Sequence, residues 1–191
     1  KFCNLVFKHK VALRPLTHAS IRWRRKTKEP NIRKIVQFVV HLLDKKKDEG
    51  CFLDVGANIG IYTWEVRNYS PNRKIIAFEP DPNNVGLLQM TLQHSDLKNI
   101  NIFQLGLSSV SRKATFLQDD LTSATGTLET ENKPWVEQYL NGSAKKIFVN
   151  TTTIDEVITN PPNPSFVKID VEGHEVEVLQ GAKKILNQEK P

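Results

Sequence analysis

The chain has 191 residues, 39% hydrophobic and 25% charged, with a net charge of +6. This is ordinary globular composition, long enough for one domain with a sizeable core, and its basic balance permits anionic partners without requiring them. No apolar run approaches ~18 residues and the start carries no secretory pattern, so the expectation is a cytoplasmic protein with no membrane span.

Residues 1–28 read as an irregular basic arm, with Trp23 inside the run Arg22-Trp23-Arg24-Arg25-Lys26. Such a run suits nucleic acid or an anionic substrate. A solvated segment whose Trp23 packs on the domain is the preferred reading, and nucleic acid is not the expected partner. The two cysteines, Cys3 and Cys51, make neither a disulfide framework nor a zinc spacing.

The domain proper is expected over 29–191. A helix starts at Glu29-Pro30, with Ile32, Ile35, Val36, Val39 and Leu42 on its apolar face. Lys45-Lys46-Lys47 closes it favourably for the dipole, and Gly50 stops it. Cys51 to Val55 is a short buried strand, Gly56-Ala57-Asn58-Ile59-Gly60 turns, and Ile61 opens a helix. A strand, a glycine turn and a helix form half a βαβ unit, where nucleotide-like ligands sit.

The turn narrows the ligand. A dinucleotide turn wants G-x-G-x-x-G. Here the spacing is Asp54-x-Gly56-x-x-x-Gly60, with Asn58 in place of another glycine. The Asp54 carboxylate would repel a pyrophosphate and suit a ligand carrying an ammonium and a sulfonium, such as S-adenosylmethionine. An ordinary βα turn with no ligand is the plainer alternative.

Lys74 to Phe78 is a second strand with Glu79 at its end, and Asp81-Pro82 starts a helix with Asp81 as N-cap. Val85, Leu88 and Leu92 are its buried stripe, and Asn99 to Leu105 is a third strand that ends at Gly106. The pattern βαβαβ predicts a parallel sheet. The regularity then lapses into strands near Ala114–Leu117 and Lys146–Val149, a turn at Ser123–Gly126 and a short helix at Pro134–Leu140. This reads as an insertion that shapes the substrate side. Asn160 to Pro164 reads as a rigid turn before a fourth strand, Phe166 to Val171.

In Val167 to Glu175, apolar Val167, Ile169 and Val171 alternate with Lys168, Asp170 and Glu172. Period two places the three polar side chains on one face, and His174 and Glu175 follow at a helix entry. Charges on a buried strand must be paired or used. One reading is a structural network in which Lys168 neutralises Asp170 while Glu172 and Glu175 cap the helix. The other is catalytic: a carboxylate or His174 takes a proton, and Lys168 holds a carboxylate or an alkoxide. Asp170 and Glu172 would also suit Mg²⁺, although metal-free chemistry is preferred.

Three blocks together resemble the FkbM-type methyltransferase family: FLDVGANIGIYT, IIAFEPDPNN at Ile75 to Asn84, and VKIDVEGHEVEVLQGA at Val167 to Ala182. The resemblance implies an α/β, Rossmann-like class I methyltransferase fold, with a mostly parallel sheet and helices on both faces. It implies S-adenosylmethionine as cofactor and O-methylation of a small-molecule or carbohydrate hydroxyl. By position, Asp54, Gly56, Ala57, Asn58 and Gly60 would surround the methionine end of the cofactor, with Tyr62 and Thr63 in the same turn. Glu79 would accept from the ribose diol. Gly106 and Leu107 would flank the adenine, supplemented by Ser108 and Ser109. RNA methylation, and a non-catalytic binding module with the same fold, are the rival readings. Such folds continue after the fourth strand and its helix, so this strand is expected at an open edge. A longer natural chain or an oligomer would cover it.

Overall fold

The computed structural model describes residues 2–4, 7–14, 30–119, 126–128, 144–159 and 163–187. The basic run 22–26, the expected helix 134–140 and the turn residues 160–162 lie outside these residues.

The central sheet contains β3 (Cys51–Val55), β4 (Ile75–Phe78), β5 (Ile100–Phe103) and β9 (Pro164–Ile169), all parallel, in the order β5-β4-β3-β9. The first strand of the glycine turn is thus central, and the order reverses beside it. In open α/β sheets that reversal opens a crevice at the carboxyl ends of the strands. Among the described residues β9 pairs only with β3.

The sheet buries both faces. Phe52, Ile75 and Ala77 pack with Val36 and Val40 of α1 (Pro30–Lys45), Trp64 and Val66 of α2 (Ile61–Tyr69), and Leu87 and Leu88 of α3 (Pro82–His94). Leu53, Val55, Ile76 and Phe78 face Ile154 of α4 (Ile154–Val157) and Val178 of α5 (Glu175–Gln180); α6 (Lys183–Asn187) follows. All five residues of β3 are buried, as the apolar run predicts for a parallel strand covered twice. Asp81 caps α3 by accepting from Asn83 N at 2.8 Å, with Pro82 in the first turn.

Several expectations are corrected. Residues 1–28 are not irregular throughout: β1 (Phe2–Asn4) and β2 (Lys10–Ala12) pair antiparallel. Val11, Ala12 and Leu13 are buried, and Ala12 N donates to Thr91 Oγ1 of α3 at 2.8 Å. Part of the presumed arm therefore belongs to the core.

On α1 the buried face carries Arg33, Val36 and Val40, whereas Ile32, Ile35 and Leu42 are exposed. A buried ion pair from Arg33 to Glu65, with Arg33 also over the Phe7 ring, accounts for this rotation.

The expected third strand is shorter than read: β5 covers Ile100–Phe103, and just past the expected end a separate strand, β6 (Gly106–Leu107), pairs outside the central sheet with β8 (Ala144–Thr152). Antiparallel β7 (Arg112–Asp119) completes this second sheet, in the order β6-β8-β7. The insertion is thus a sheet of its own, longer in both strands than the alternation suggested. Among the described residues, no helix is long and apolar enough to cross a membrane.

Candidate functional site

A cleft opens at the carboxyl ends of β3, β4, β5 and β9, lined by Gly56, Asn58, Glu79 and Gly106 among others. Its position follows from the strand order. Its floor follows from the glycine turn. Gly56 has φ +72°, and a Cβ there would lie 2.0 Å from the Asp170 oxygen, so only glycine lets the turn pass the end of β9. Gly60, at φ +85°, is packed so closely that a Cβ would meet Leu88 and Trp64. Asn58 itself adopts φ +52°.

Asp54 lies behind this turn, fully buried. Its Oδ2 accepts from Thr63 N at 2.9 Å and from Thr63 Oγ1 at 2.6 Å, which ties β3 to the first turn of α2. Its Oδ1 is 3.4 Å from Lys168 Nζ, an ion pair without hydrogen-bond alignment. Lys168 also donates to the Gly56 carbonyl at 2.9 Å, lies 3.5 Å from Asp170 Oδ2 and sits over the Tyr62 ring at 5.2 Å. Asp54, Tyr62, Thr63 and Lys168 therefore brace the turn from outside the cleft lining.

Glu79 ends β4 at the cleft and is 5% exposed. Its carboxyl accepts from Asn58 N at 2.7 Å and from Asp81 N at 3.0 Å. Burial pushes its pKa up to about 7, and the neighbouring Asp81 charge adds to the rise; hydrogen bonds from Asp81, Asn58 and Asn84 oppose it.

The expected catalytic set is divided. Asp170 and Glu172 line the cleft beside Val171. The strand, however, ends at Ile169, and Glu172 and Gly173 have φ +54° and +97°. Glu172 thus reaches the cleft by a turn and not by strand alternation, which overturns the shared-face argument. Glu175 Oε1 accepts from Val171 N and Gly173 N, each at 3.1 Å, and so holds this turn. His174 is buried outside the cleft, with Nε2 2.9 Å from Ser108 Oγ. Of the cofactor candidates, Gly56, Asn58, Glu79, Gly106 and Leu107 line the cleft, while Ala57 and Gly60 shape the turn behind it.

Sequence reasoning missed Phe116 of β7 and Gly126 and Leu128 beside Thr127, which bridges to Leu117 of β7; these close the cleft. Gln118 of β7 donates to Asp81 Oδ1 at 2.7 Å, and Thr127 Oγ1 donates to the Glu172 carbonyl at 3.0 Å. The only available signal was that an insertion tends to shape the substrate side. The described lining residues include four carboxylates, Glu79, Asp81, Asp170 and Glu172, and no cationic side chain. This acceptor set suits a cationic ligand with hydroxyl donors and repels a pyrophosphate.

The family whose pattern matches residues 54–191 is the methyltransferase FkbM domain. Hexuronic acid methyltransferase AglP of Haloferax volcanii is 32% identical over 149 residues, covering 76% of this chain and 55% of that protein. Methyltransferase sdnD of Sordaria araneosa is 30% identical over 152 residues, covering 68% of this chain and 59% of its own. Methyltransferase 1 of Beauveria bassiana is 24% identical, covering 70% and 59%. The chain therefore spans little more than half the length of these relatives.

Proposed function

The chain belongs to the FkbM methyltransferase family, and from that premise we propose an S-adenosylmethionine-dependent O-methyltransferase acting on a small-molecule or carbohydrate hydroxyl. The observation that carries this reading is the cleft's acceptor set, four carboxylates with no cationic side chain among the described lining residues, at the switch point of a parallel sheet. A carbohydrate hydroxyl is supported by the hexuronic acid methyltransferase among the relatives.

Bound, S-adenosylmethionine would supply a sulfonium methyl that passes in line to the hydroxyl oxygen, leaving S-adenosylhomocysteine. The turn Gly56-Ala57-Asn58-Ile59-Gly60 would hold the methionine end, and Glu79 would accept from the ribose diol. Gly106 and Leu107 would flank the adenine. Asp54 and Lys168, with Thr63 and Tyr62, would keep the turn in shape. Such positioning lowers the entropy cost of an in-line transfer. The substrate hydroxyl must also lose its proton, and Asp170 or Glu172 would take it, since these carboxylates line the cleft after β9. The same two would be the first oxygen ligands for Mg²⁺; the proposal is metal-free.

Calorimetry with S-adenosylhomocysteine and NAD tests the cofactor. Tight S-adenosylhomocysteine binding without NAD binding is expected, and the reverse preference sinks the reading. A radiolabelled methyl-transfer screen across sugar, lipid, polyketide and RNA fractions then tests the acceptor. Label in RNA alone would overturn the choice of small hydroxyl substrates.

A further inference from the structure

The cleft has two walls that come from distant parts of the chain. Gly106 and Leu107 of β6 line one, and Ser108 follows directly; Asp170, Val171 and Glu172 line the other, and His174 follows two residues on. Ser108 Oγ and His174 Nε2 meet at 2.9 Å, with both residues buried and neither lining the cleft. We propose that this hydrogen bond latches the two walls together, and that His174 is a positioning residue and not the proton acceptor. The proposal rests on the cofactor reading above for its functional consequence.

Ser108 is well anchored. Its N–H donates to the Thr152 carbonyl at 2.9 Å, in line with the β6–β8 pairing. At the far end of α5, a Cβ on Gly181 would lie 2.1 Å from the Ser108 oxygen. The segment after β6 is therefore flush with α5 at its last turn through Gly181 and at its entry through His174.

The opposite wall needs the anchor. Glu172 holds φ +54°, a conformation that costs a non-glycine residue free energy and persists only when its surroundings enforce it. Glu175 grips the main chain on either side of Glu172, and Thr127 Oγ1 grips its carbonyl. Those ties hold the turn to α5 and to the Thr127 segment that bridges to β7. The Ser108–His174 bond joins the same turn to the adenine-side wall.

The histidine's own geometry fits this role. Its Nδ1 lies 3.6 Å from Glu177 Oε2, one helical turn along α5. Its Nε2 and the Ser108 hydroxyl lie within hydrogen-bonding distance, the tautomer deciding which of them donates. Both ring nitrogens thus face groups of the protein, and the buried ring does not line the cleft.

The test compares Ser108→Ala, His174→Ala, the double variant and His174→Gln in the full chain. It reads amide hydrogen exchange, S-adenosylhomocysteine affinity and kcat with KM. His174→Ala should speed exchange across the gap at Gly106–Ser108, and Ser108→Ala should speed it at Asp170–Gly173. Each should weaken S-adenosylhomocysteine binding by ~5- to 10-fold, the effect of one net hydrogen bond. The double variant should be no worse than the worse single, and His174→Gln, whose side-chain amide can still meet Ser108, should recover most of the affinity. Additive effects, or exchange changes confined to the mutated segment, would overturn the latch. So would a ~10²-fold fall in kcat for His174→Ala with Ser108→Ala silent, the mark of a proton acceptor. Should His174→Ala fail to fold, Ser108→Ala and His174→Gln decide the same question. A wild-type chain that binds no S-adenosylhomocysteine refutes the functional reading, while the exchange data still decide the latch.

Discussion

Lys168 Nζ donates to the carbonyl oxygen of Gly56 across 2.9 Å, so the fourth strand holds the glycine turn from beneath. The same ammonium is an ion-pair partner of fully buried Asp54. Removing one member of a buried pair leaves the other charge uncompensated. Lys168→Met should therefore cost on the order of 3 kcal/mol in urea unfolding. The double variant Asp54→Asn/Lys168→Met should recover part of that loss. Strict additivity of the two single losses would show that the pair is not coupled.

Gly56→Ala is expected to be the most damaging small substitution at the turn. The alanine would carry positive φ and push its Cβ against the Asp170 main chain. The left-handed conformation alone costs roughly 1–2 kcal/mol, and the clash adds to it. Thermal unfolding should shift down markedly, and S-adenosylhomocysteine binding should be lost even in the folded fraction. Undiminished binding would place the cofactor elsewhere.

Glu79 makes stability and ligand affinity depend on pH in opposite senses. Burial raises its folded pKa from 4.5 to about 7, so the folded state holds the proton more tightly than the unfolded chain. That contribution is fully present below the unfolded value and is lost as pH rises through the folded one. Ligand-free stability should thus fall between about pH 5 and 8, by an amount on the order of 3 kcal/mol if this group acts alone. Glu79→Gln should flatten that segment of the urea-derived profile. Ribose hydroxyls donating to Glu79 would favour the ionised form, so affinity for S-adenosylhomocysteine should rise over the same interval with proton release. Calorimetry in buffers of different ionisation enthalpy reads that release directly. Glu79→Gln should weaken binding by roughly 1–3 kcal/mol.

Asp170→Asn and Glu172→Gln separate binding from chemistry. At least one should lose ~10²-fold or more in kcat while binding S-adenosylhomocysteine normally. Glu175→Gln should act through the turn, lowering stability and affinity together, because its carboxylate holds the Val171 and Gly173 amides. Full turnover in both Asp170→Asn and Glu172→Gln would make this constellation structural. Activity lost to EDTA and restored by Mg²⁺ would turn the same carboxylates into metal ligands.

The features legible in the chain were those encoded by neighbours in sequence. The buried strand at Cys51–Val55, the turn from Gly56 to Gly60 and the cap at Asp81 each rest on a few adjacent residues whose sterics or hydrogen bonds close locally. Their βαβαβ succession was enough to anticipate a parallel sheet, and the glycine and acid spacing located the cleft's floor. The alternation at Lys168, Asp170 and Glu172 misled past Ile169, because a turn at positive φ carries no periodicity that could announce it.

The remaining relationships depend on contacts between segments far apart in the chain. Ser108 and His174 are separated by 66 positions, and Ala12 and Thr91 by 79. Neither partner carries a local sign of the other, since any buried hydroxyl or imidazole could be satisfied in many ways. Likewise, the placement of β6 outside the central sheet was set by β8, whose pairing satisfies backbone groups that no pattern around Gly106–Leu107 could assign. Local propensity chose the elements and the turn; the competition among distant partners for buried polar groups chose which side chains face the cleft.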